Sequence, residues 1–148
     1  MATAIAPPSI APPLPTPAER PDADVVIYDG HCRICTAQVR KLPWWDCQDR
    51  LAYLSLHDPE VIRRWPDLSH ERMMQEMVII DRHGNRHWGA EAIRYLSRRL
   101  RRLWLASPFL HFPASMVLWR PLYRWVARNR YRLSGGPTCD NGACSLHR

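Results

Sequence analysis

Short apolar runs separated by turns dominate the first part of the folded region. The run Asp24–Tyr28 is rich in β-branched residues and stops at Asp29-Gly30, which predicts a buried strand followed by a turn. Between residues 32 and 42 apolar side chains recur at spacings of four and three, and Pro43 ends the pattern, which predicts a helix of about three turns. The chain therefore opens with a strand, a turn and a helix.

The next segment predicts a second strand and a second helix, followed by a hairpin. Residues 51–56 are apolar enough for a strand, and Asp58 followed by Pro59 marks the start of a short helix that ends near residue 65. A turn over residues 69–74 precedes the hairpin. The hairpin consists of the strand 77–80, the connection 81–85 and the return strand 86–88.

An amphipathic helix follows the hairpin. Its apolar stripe is formed by Ile93, Leu96, Leu100 and Leu103, while Arg94, Arg98, Arg101 and Arg102 project elsewhere. The order of elements is then strand, helix, strand, helix, strand, strand, helix. A βαβ opening followed by an antiparallel hairpin is typical of an α/β sandwich.

The segments outside these elements differ in composition. Residues 1–21 contain seven prolines and no aromatic residue, so they cannot bury enough apolar surface and are expected to be disordered. The predicted domain covers residues 22–103. Residues 104–133 are aromatic and basic, and we expect a helical extension packed on the core, interrupted or kinked at Pro113 and Pro121. Residues 134–148, which contain Cys139 and Cys144, are expected to form a flexible tail.

Charge changes this picture only for the second half of the chain. The formal net charge is +7, but residues 82–148 hold 13 arginines against two acidic residues, a local charge of +11, which leaves about −4 for the rest. Such a basic half is either a solvated arginine face or a surface for anionic membrane, an acidic partner or nucleic acid. Both interpretations stay open.

The expected compartment is the cytoplasm. No apolar run approaches the ~20 residues of a membrane helix. The first residues lack the basic and apolar regions of a secretory signal. Five cysteines in a cytoplasmic chain argue against a framework of structural disulfides and favour redox chemistry, metal binding or inert burial.

Two of these cysteines form a Cys-x-x-Cys motif, Cys32-Arg33-Ile34-Cys35, at the start of the first predicted helix. A helix N-terminus offers unpaired backbone N–H groups and positive potential, both of which favour a thiolate at Cys32. Cys35 lies one turn further on the same face, where it can attack a mixed disulfide. The motif therefore predicts Cys32 as the nucleophile and Cys35 as the resolving thiol, with no cofactor other than a redox-active Cys32–Cys35 disulfide.

The residues around the motif have both chemical and structural interpretations. A cationic His31 or Arg33 would favour the Cys32 thiolate, or both side chains point into solvent. Asp29 could relay a proton to Cys35 or bond backbone amides in the turn. Gly30 supplies either a turn conformation or a close approach that a side chain would prevent.

Three segments of the chain resemble the Asp-Cys-Cys-motif family of thiol-disulfide oxidoreductases. The family takes its name from Asp-x-x-Cys-x-x-Cys, which Asp29, Cys32 and Cys35 match. The segments 89–93 and 123–131 are also similar to the family. The resemblance covers roughly residues 24–133.

This resemblance implies a thioredoxin-like fold with the dithiol after the first strand. It also implies reversible exchange with a thiol or disulfide substrate, which can be a small molecule or a protein. An external reductant or oxidant then resets the pair. Thioredoxins place a cis-proline beside the dithiol, whereas here Gln75 and Glu76 precede Met77. The expected substrate contacts are Gly30, His31, Arg33, Gln75, Glu76 and Met77.

The remaining cysteines leave two further hypotheses. Cys47 lies in a polar connection and is expected to be incidental. Cys139 and Cys144 could form a relay that exchanges with Cys32 and Cys35, or they are surface thiols without a role. A different class of function is a zinc-binding module that uses these four cysteines, with a histidine as a possible replacement for one of them. No metal is expected on the favoured interpretation.

Overall fold

The computed structural model describes residues 13–112 and 114–133. Its centre is a four-stranded sheet with the spatial order β2-β1-β3-β4. β1 pairs with β2 in parallel and with β3 antiparallel, and β3 pairs with β4 antiparallel. The strands are β1 (Asp24–Tyr28), β2 (Leu51–Ser55), β3 (Val78–Ile80) and β4 (Arg86–Trp88). The predicted mixed α/β, thioredoxin-like fold is confirmed.

Helices connect the strands and extend the chain beyond them. They are α1 (Arg33–Val39), α2 (Leu42–Trp45), α3 (Pro59–Arg64), α4 (His70–Gln75), α5 (Gly89–Arg99), a 3₁₀ helix (Arg101–Ala106), α6 (Ser107–His111) and α7 (Ser115–Leu133). The helix predicted over residues 32–42 is shorter than expected. Pro43 lies in the first turn of α2 instead of ending α1, because a first turn has no use for the missing N–H.

The core lies on both faces of the sheet, and the alternation along β1 separates the two sides. Val25 and Ile27 pack with β3 and with residues from α3 and α4, whereas Val26 packs with α1 and with the apolar stripe of α5. Such alternation is what a strand covered on both faces requires. Since β1 is an inner strand, the residues that follow Tyr28 leave the sheet between its neighbours.

The start of β1 is held by a buried ion pair. Arg99 Nε lies 2.6 Å from Asp24 Oδ2, and the Tyr95 hydroxyl donates to the same oxygen at 3.0 Å. The backbone N–H of Arg82 donates to Asp24 Oδ1 at 3.1 Å. The Asp24 side chain has no exposed surface, and these bonds compensate its charge for the loss of water.

Residues 13–21 pack against the sheet, where the composition predicted a disordered tail through residue 21. The backbone N–H of Tyr53 donates to the Pro15 carbonyl at 2.9 Å, and Arg20 Nη1 donates to the Leu51 carbonyl at 2.8 Å. These bonds cover the outer edge of β2, which would otherwise present unpaired backbone groups. The predictions for residues 1–12 and for the tail 134–148 lie outside the described residues.

The extension after residue 103 is helical, as predicted, and it contacts α5 and α4. α7 runs through Pro121 without the predicted interruption, while Pro113 lies outside the described residues. Across the described ranges, none of the helices combines the length and apolar character needed to cross a membrane. The C-terminal helices thus form one wall of the region around the dithiol.

Candidate active site

Cys32 is the N-cap residue of α1. Its backbone is extended, with φ −89° and ψ 116°, and its Sγ accepts a hydrogen bond from the Cys35 N–H at 3.4 Å. The sulfur thus takes the place of the side-chain oxygen that usually caps a helix. Cys32 has no exposed surface, a burial that the sequence did not predict.

Cys35 lies one turn later and is half-buried. Burial raises the pKa of its thiol to about 12, and the hydrogen bond to Cys32, the charge of Cys32 and the charge of Asp29 act in the same direction. Arg130 opposes them and lowers this pKa. In the dithiol state Cys35 therefore keeps its proton. The predicted order of attack, Cys32 first and Cys35 second, stays a prediction.

Asp29 directly follows β1, and its side chain has no exposed surface. Its Oδ1 accepts from the His31 N–H at 3.0 Å and lies 3.1 Å from His57 Nε2. Its Oδ2 lies 3.3 Å from Arg130 Nη2. The backbone bond in the turn, one of the two predicted interpretations, is present, while proton relay to Cys35 stays a prediction.

Arg130 is the first of two residues of this site that the sequence did not single out. It comes from α7, 95 residues after Cys35, yet its Nη1 lies 3.6 Å from Cys35 Sγ. Its Nη2 also donates to the Met74 carbonyl. Arg130 is only 6% exposed, whereas the neighbouring Arg128 is exposed. The segment 123–131 supported the family resemblance, but nothing in an arginine-rich helix indicates which arginine is buried.

His57 is the second residue that the sequence did not single out. It follows β2, and because β1 and β2 are parallel, the residues after both strands meet at one edge of the sheet. Its ring stacks on that of His31, with the centroids 3.9 Å apart and the planes at 17°. The signal in the sequence is that His57 directly follows the predicted strand 51–56, which pairs in parallel with the strand before the Cys-x-x-Cys motif.

Within the described ranges, one group of three residues could hold a metal ion. Donor atoms of Asp29, His31 and His57 all lie within 4.8 Å of one another. The Asp29 carboxylate already faces the Arg130 guanidinium, which competes with a cation for the same charge. The predicted four-cysteine zinc set involves Cys139 and Cys144, which lie outside the described residues.

The other predicted residues differ in their exposure. A Cβ on Gly30 would lie 2.6 Å from Ser55 Oγ, so close approach is the reason for this glycine. His31 and Arg33 are exposed, as is Gln75 at the end of α4. Cys47 is an exposed free thiol.

The loop opposite the dithiol is closed by the protein's own hydrogen bonds. The Met77 N–H donates to the Tyr123 hydroxyl at 3.1 Å, and the Met77 carbonyl accepts from the Gly89 N–H at 2.9 Å. Arg124 Nε lies 3.9 Å from Glu76 Oε1. Of Gln75, Glu76 and Met77, which are predicted to contact substrate, Met77 lines the cavity between α1, α5 and the C-terminal helices.

A cavity of about 460 Å³ opens between α1, α5 and the C-terminal helices. Cys35, Asp29 and Arg130 lie in its wall, whereas Cys32 does not. The rest of the wall is largely apolar. It includes Ile34, Val39, Leu42, Leu96, Leu103, Leu110, Met116, Trp119, Leu122 and Val126.

The fold and the site define a class of protein. A thioredoxin-like sheet that presents a Cys-x-x-Cys pair directly after an inner strand is characteristic of thiol-disulfide oxidoreductases. The profile of the DCC1-like thiol-disulfide oxidoreductase family matches residues 26–136, and the chain belongs to this family. Comparisons with curated proteins and with solved structures gave no match.

Proposed function

We propose that this protein exchanges electrons between its Cys32/Cys35 dithiol and a thiol or disulfide substrate. The observation that carries the proposal is the arrangement of the two sulfurs at the start of α1. Cys32 Sγ accepts a hydrogen bond from the Cys35 N–H, and burial raises the pKa of Cys35 to about 12, so the second thiol of the pair keeps its proton until exchange begins.

Exchange follows from the proximity of the two thiols at the start of α1. One sulfur of the pair attacks a substrate disulfide and forms a mixed disulfide, and the other sulfur resolves it. The Cys32–Cys35 disulfide forms, two electrons pass to the substrate, and the substrate leaves as two thiols. The reverse sequence oxidises two thiols to a disulfide.

Arg130 is a positioning residue for this chemistry, and Asp29 positions it in turn. Asp29 Oδ2 and the Met74 carbonyl fix the guanidinium so that its Nη1 faces Cys35 Sγ. A cation beside Cys35 favours the thiolate form of that residue whenever the sulfur is released from a disulfide.

The experiment is a redox titration of the full chain in dithiothreitol buffers, with alkylation and peptide mapping to locate the disulfide. We expect a Cys32–Cys35 disulfide that forms and disappears reversibly. Cys32→Ser and Cys35→Ser should each abolish disulfide turnover, whereas Cys47→Ser, the matched control at an exposed thiol, should leave it unchanged. A protein that still turns over disulfides without Cys35 would contradict the proposal.

A second candidate function is docking on an anionic membrane surface. The C-terminal helices expose large apolar side chains, of which Leu105 is 84%, Val117 79% and Phe109 71% exposed. No acidic residue occurs between residues 101 and 133, where seven arginines lie. An apolar surface rimmed by cations is the pattern of interfacial helices.

Co-sedimentation with vesicles containing phosphatidylglycerol tests this second function. We expect binding that weakens with salt and is lost in a Phe109→Ser, Val117→Ser double variant. Ile62→Ser, at an exposed apolar residue 65% accessible on α3, is the control that should bind normally. Binding to RNA but not to vesicles would contradict it and favour a nucleic-acid surface instead.

A further inference from the structure

The two thiols of the site differ in what can reach them. Cys35 lies in the wall of the cavity between α1, α5 and α7, whereas Cys32 has no exposed surface. A substrate that enters the cavity therefore meets the sulfur of Cys35 first.

The cavity has the size and lining of a small-molecule site. Its volume of about 460 Å³ lies within the range of ligand pockets, about 300–1,000 Å³. Apolar side chains from several helices line it, among them Leu96 of α5 and Trp119 and Leu122 of α7. The charged side chains of the wall already have partners: Asp29 pairs with Arg130, and Arg94 Nε donates to His111 Nδ1 at 2.7 Å.

The loop opposite Cys35 is unsuited to a polypeptide. An extended peptide needs backbone partners, as in the addition of a strand to a sheet. At Met77, the residue before β3, the N–H is taken by Tyr123 and the carbonyl by Gly89. The site therefore offers a substrate apolar contact without a backbone ladder.

We propose that the cavity is the substrate site, that it takes a small apolar disulfide or thiol, and that Cys35 Sγ is the sulfur that bonds to it. This inference rests on the proposed exchange function. It reverses the order predicted from the sequence, because accessibility places Cys35 in front.

In the reducing direction, Cys35 gives its proton to water and its thiolate attacks one substrate sulfur, so a Cys35–substrate disulfide forms and the substrate S–S bond breaks. The first thiolate product leaves and takes a proton from water. Cys32 then attacks Cys35 Sγ, the Cys32–Cys35 disulfide forms, and the second thiolate product takes the proton from Cys32. In the oxidising direction one substrate thiolate attacks Cys35 Sγ and Cys32 leaves, its charge received by the Cys35 N–H. A second substrate thiolate then attacks the substrate sulfur of the mixed disulfide, the substrate disulfide forms, and Cys35 leaves as a thiolate that takes a proton from water.

The first test compares disulfides of similar chemical reactivity but different polarity. Pre-reduced full-length protein is mixed with dibutyl disulfide, with 3,3′-dithiodipropionate or with oxidised glutathione, and formation of the Cys32–Cys35 disulfide is followed in a single turnover. Each rate is divided by the rate of free dithiothreitol with the same disulfide. We expect dibutyl disulfide to be favoured by about ten-fold or more, the effect of burying a few methylene groups.

Filling the cavity gives the matched variants. Ala127→Phe on α7 should slow the reaction of dibutyl disulfide by about ten-fold, because the new ring occupies the space of the ligand. If Ala127→Phe fails to fold, Ala90→Phe in the part of the wall formed by α5 takes its place, and the same slowing is expected. Ala114→Phe, exposed and outside the cavity, is the control.

Adduct mapping tests the order of the sulfurs. Oxidised protein is treated with 1-butanethiol and quenched in acid, and we expect the butylthio group on Cys35 and a free thiol on Cys32. A butylthio group on Cys32, equal normalised rates for all three disulfides, or no effect of either cavity variant would each overturn the inference while leaving the exchange function intact. Failure of the pair to form a disulfide with any reagent, dithiothreitol included, would instead refute the exchange function, and this inference with it.

Discussion

The two ends of β1 carry similar groups and differ in what surrounds them. At the start of the strand, buried Asp24 is paired with Arg99 and accepts from Tyr95. After its end, buried Asp29 is paired with Arg130 and lies beside His57. Only the second pair touches a thiol and borders the cavity. A buried Asp–Arg pair therefore does not identify a functional site by itself. The groups that surround the pair determine its role.

The largest expected effect comes from breaking the two pairs in parallel. Arg99→Met and Arg130→Met should each lower the free energy of unfolding by about 3 kcal/mol, because each leaves a carboxylate buried without its cation. Only Arg130→Met should also slow disulfide exchange, by about a hundred-fold, because the cation beside Cys35 is lost. Urea titration and single-turnover exchange rates measure the two effects.

The pH profile separates electrostatics from packing. Arg130 lowers the pKa of Cys35, so Arg130→Met should move the rise of the exchange rate to higher pH, and Arg130→Lys should restore part of the shift. Arg99→Met should leave the profile in place. An unchanged profile in Arg130→Met would reduce Arg130 to a structural residue, equivalent to Arg99.

A smaller effect concerns the close approach at Gly30. Gly30→Ala should cost about 1–3 kcal/mol of unfolding free energy, because the new Cβ would lie 2.6 Å from Ser55 Oγ. The double variant with Ser55→Gly should recover most of that loss in a urea titration. Gly84→Ala, with open space around it but φ +83°, is a control for backbone strain without a clash.

Alkaline pH should destabilise both ends of β1 in stages. The pKa of Cys35 is raised to about 12 in the folded protein, from roughly 8.5 in an unfolded chain. Its contribution to stability is therefore present below pH ~8.5 and is lost as the pH rises toward 12. The pKa values of Tyr95 and Tyr123 are also raised to about 12, so their contributions to stability are lost above pH ~10. Cys35→Ser should remove only the first stage in thermal melts across pH 8–12.

The smallest effect is expected from the tail cysteines. Cys139 follows Leu133, the end of α7, by six residues, which span at most about 20 Å when extended. We propose that Cys139 and Cys144 pass electrons to the Cys32/Cys35 pair. The double change Cys139→Ser, Cys144→Ser should slow recycling by a few-fold but spare a single turnover. Equal recycling rates in the double variant and in the wild type would dismiss the relay.

The sequence predicted the local features of this fold well. β1, the hairpin connection and the return strand β4 occupy the predicted positions, because β-branched runs and turn residues act over a few neighbours. The N-cap position of Cys32 also follows from its place between a strand and a helix. These features depend on short-range preferences that a single sequence displays.

The features that were missed depend on contacts between distant segments. Burial of Cys32, the contact of Arg130 with Cys35 and the packing of residues 13–21 on β2 require the assembled fold. Composition alone predicted a disordered start because proline-rich segments rarely bury much surface. The carbonyl of Pro15 nevertheless pairs with the edge of β2, since that edge needs a partner.

The separation of Arg130 from Cys35 has a consequence for the newly made chain. Cys32 and Cys35 leave the ribosome early, and the helix that completes their surroundings follows 95 residues later. At a synthesis rate of about 5–20 residues per second, the dithiol spends roughly 5–20 s without its arginine and without the wall of α7. During that interval Cys35 is open to oxidants and to other nascent cysteines. Completion of α7 is thus the step of biosynthesis that closes the cavity beside Cys35.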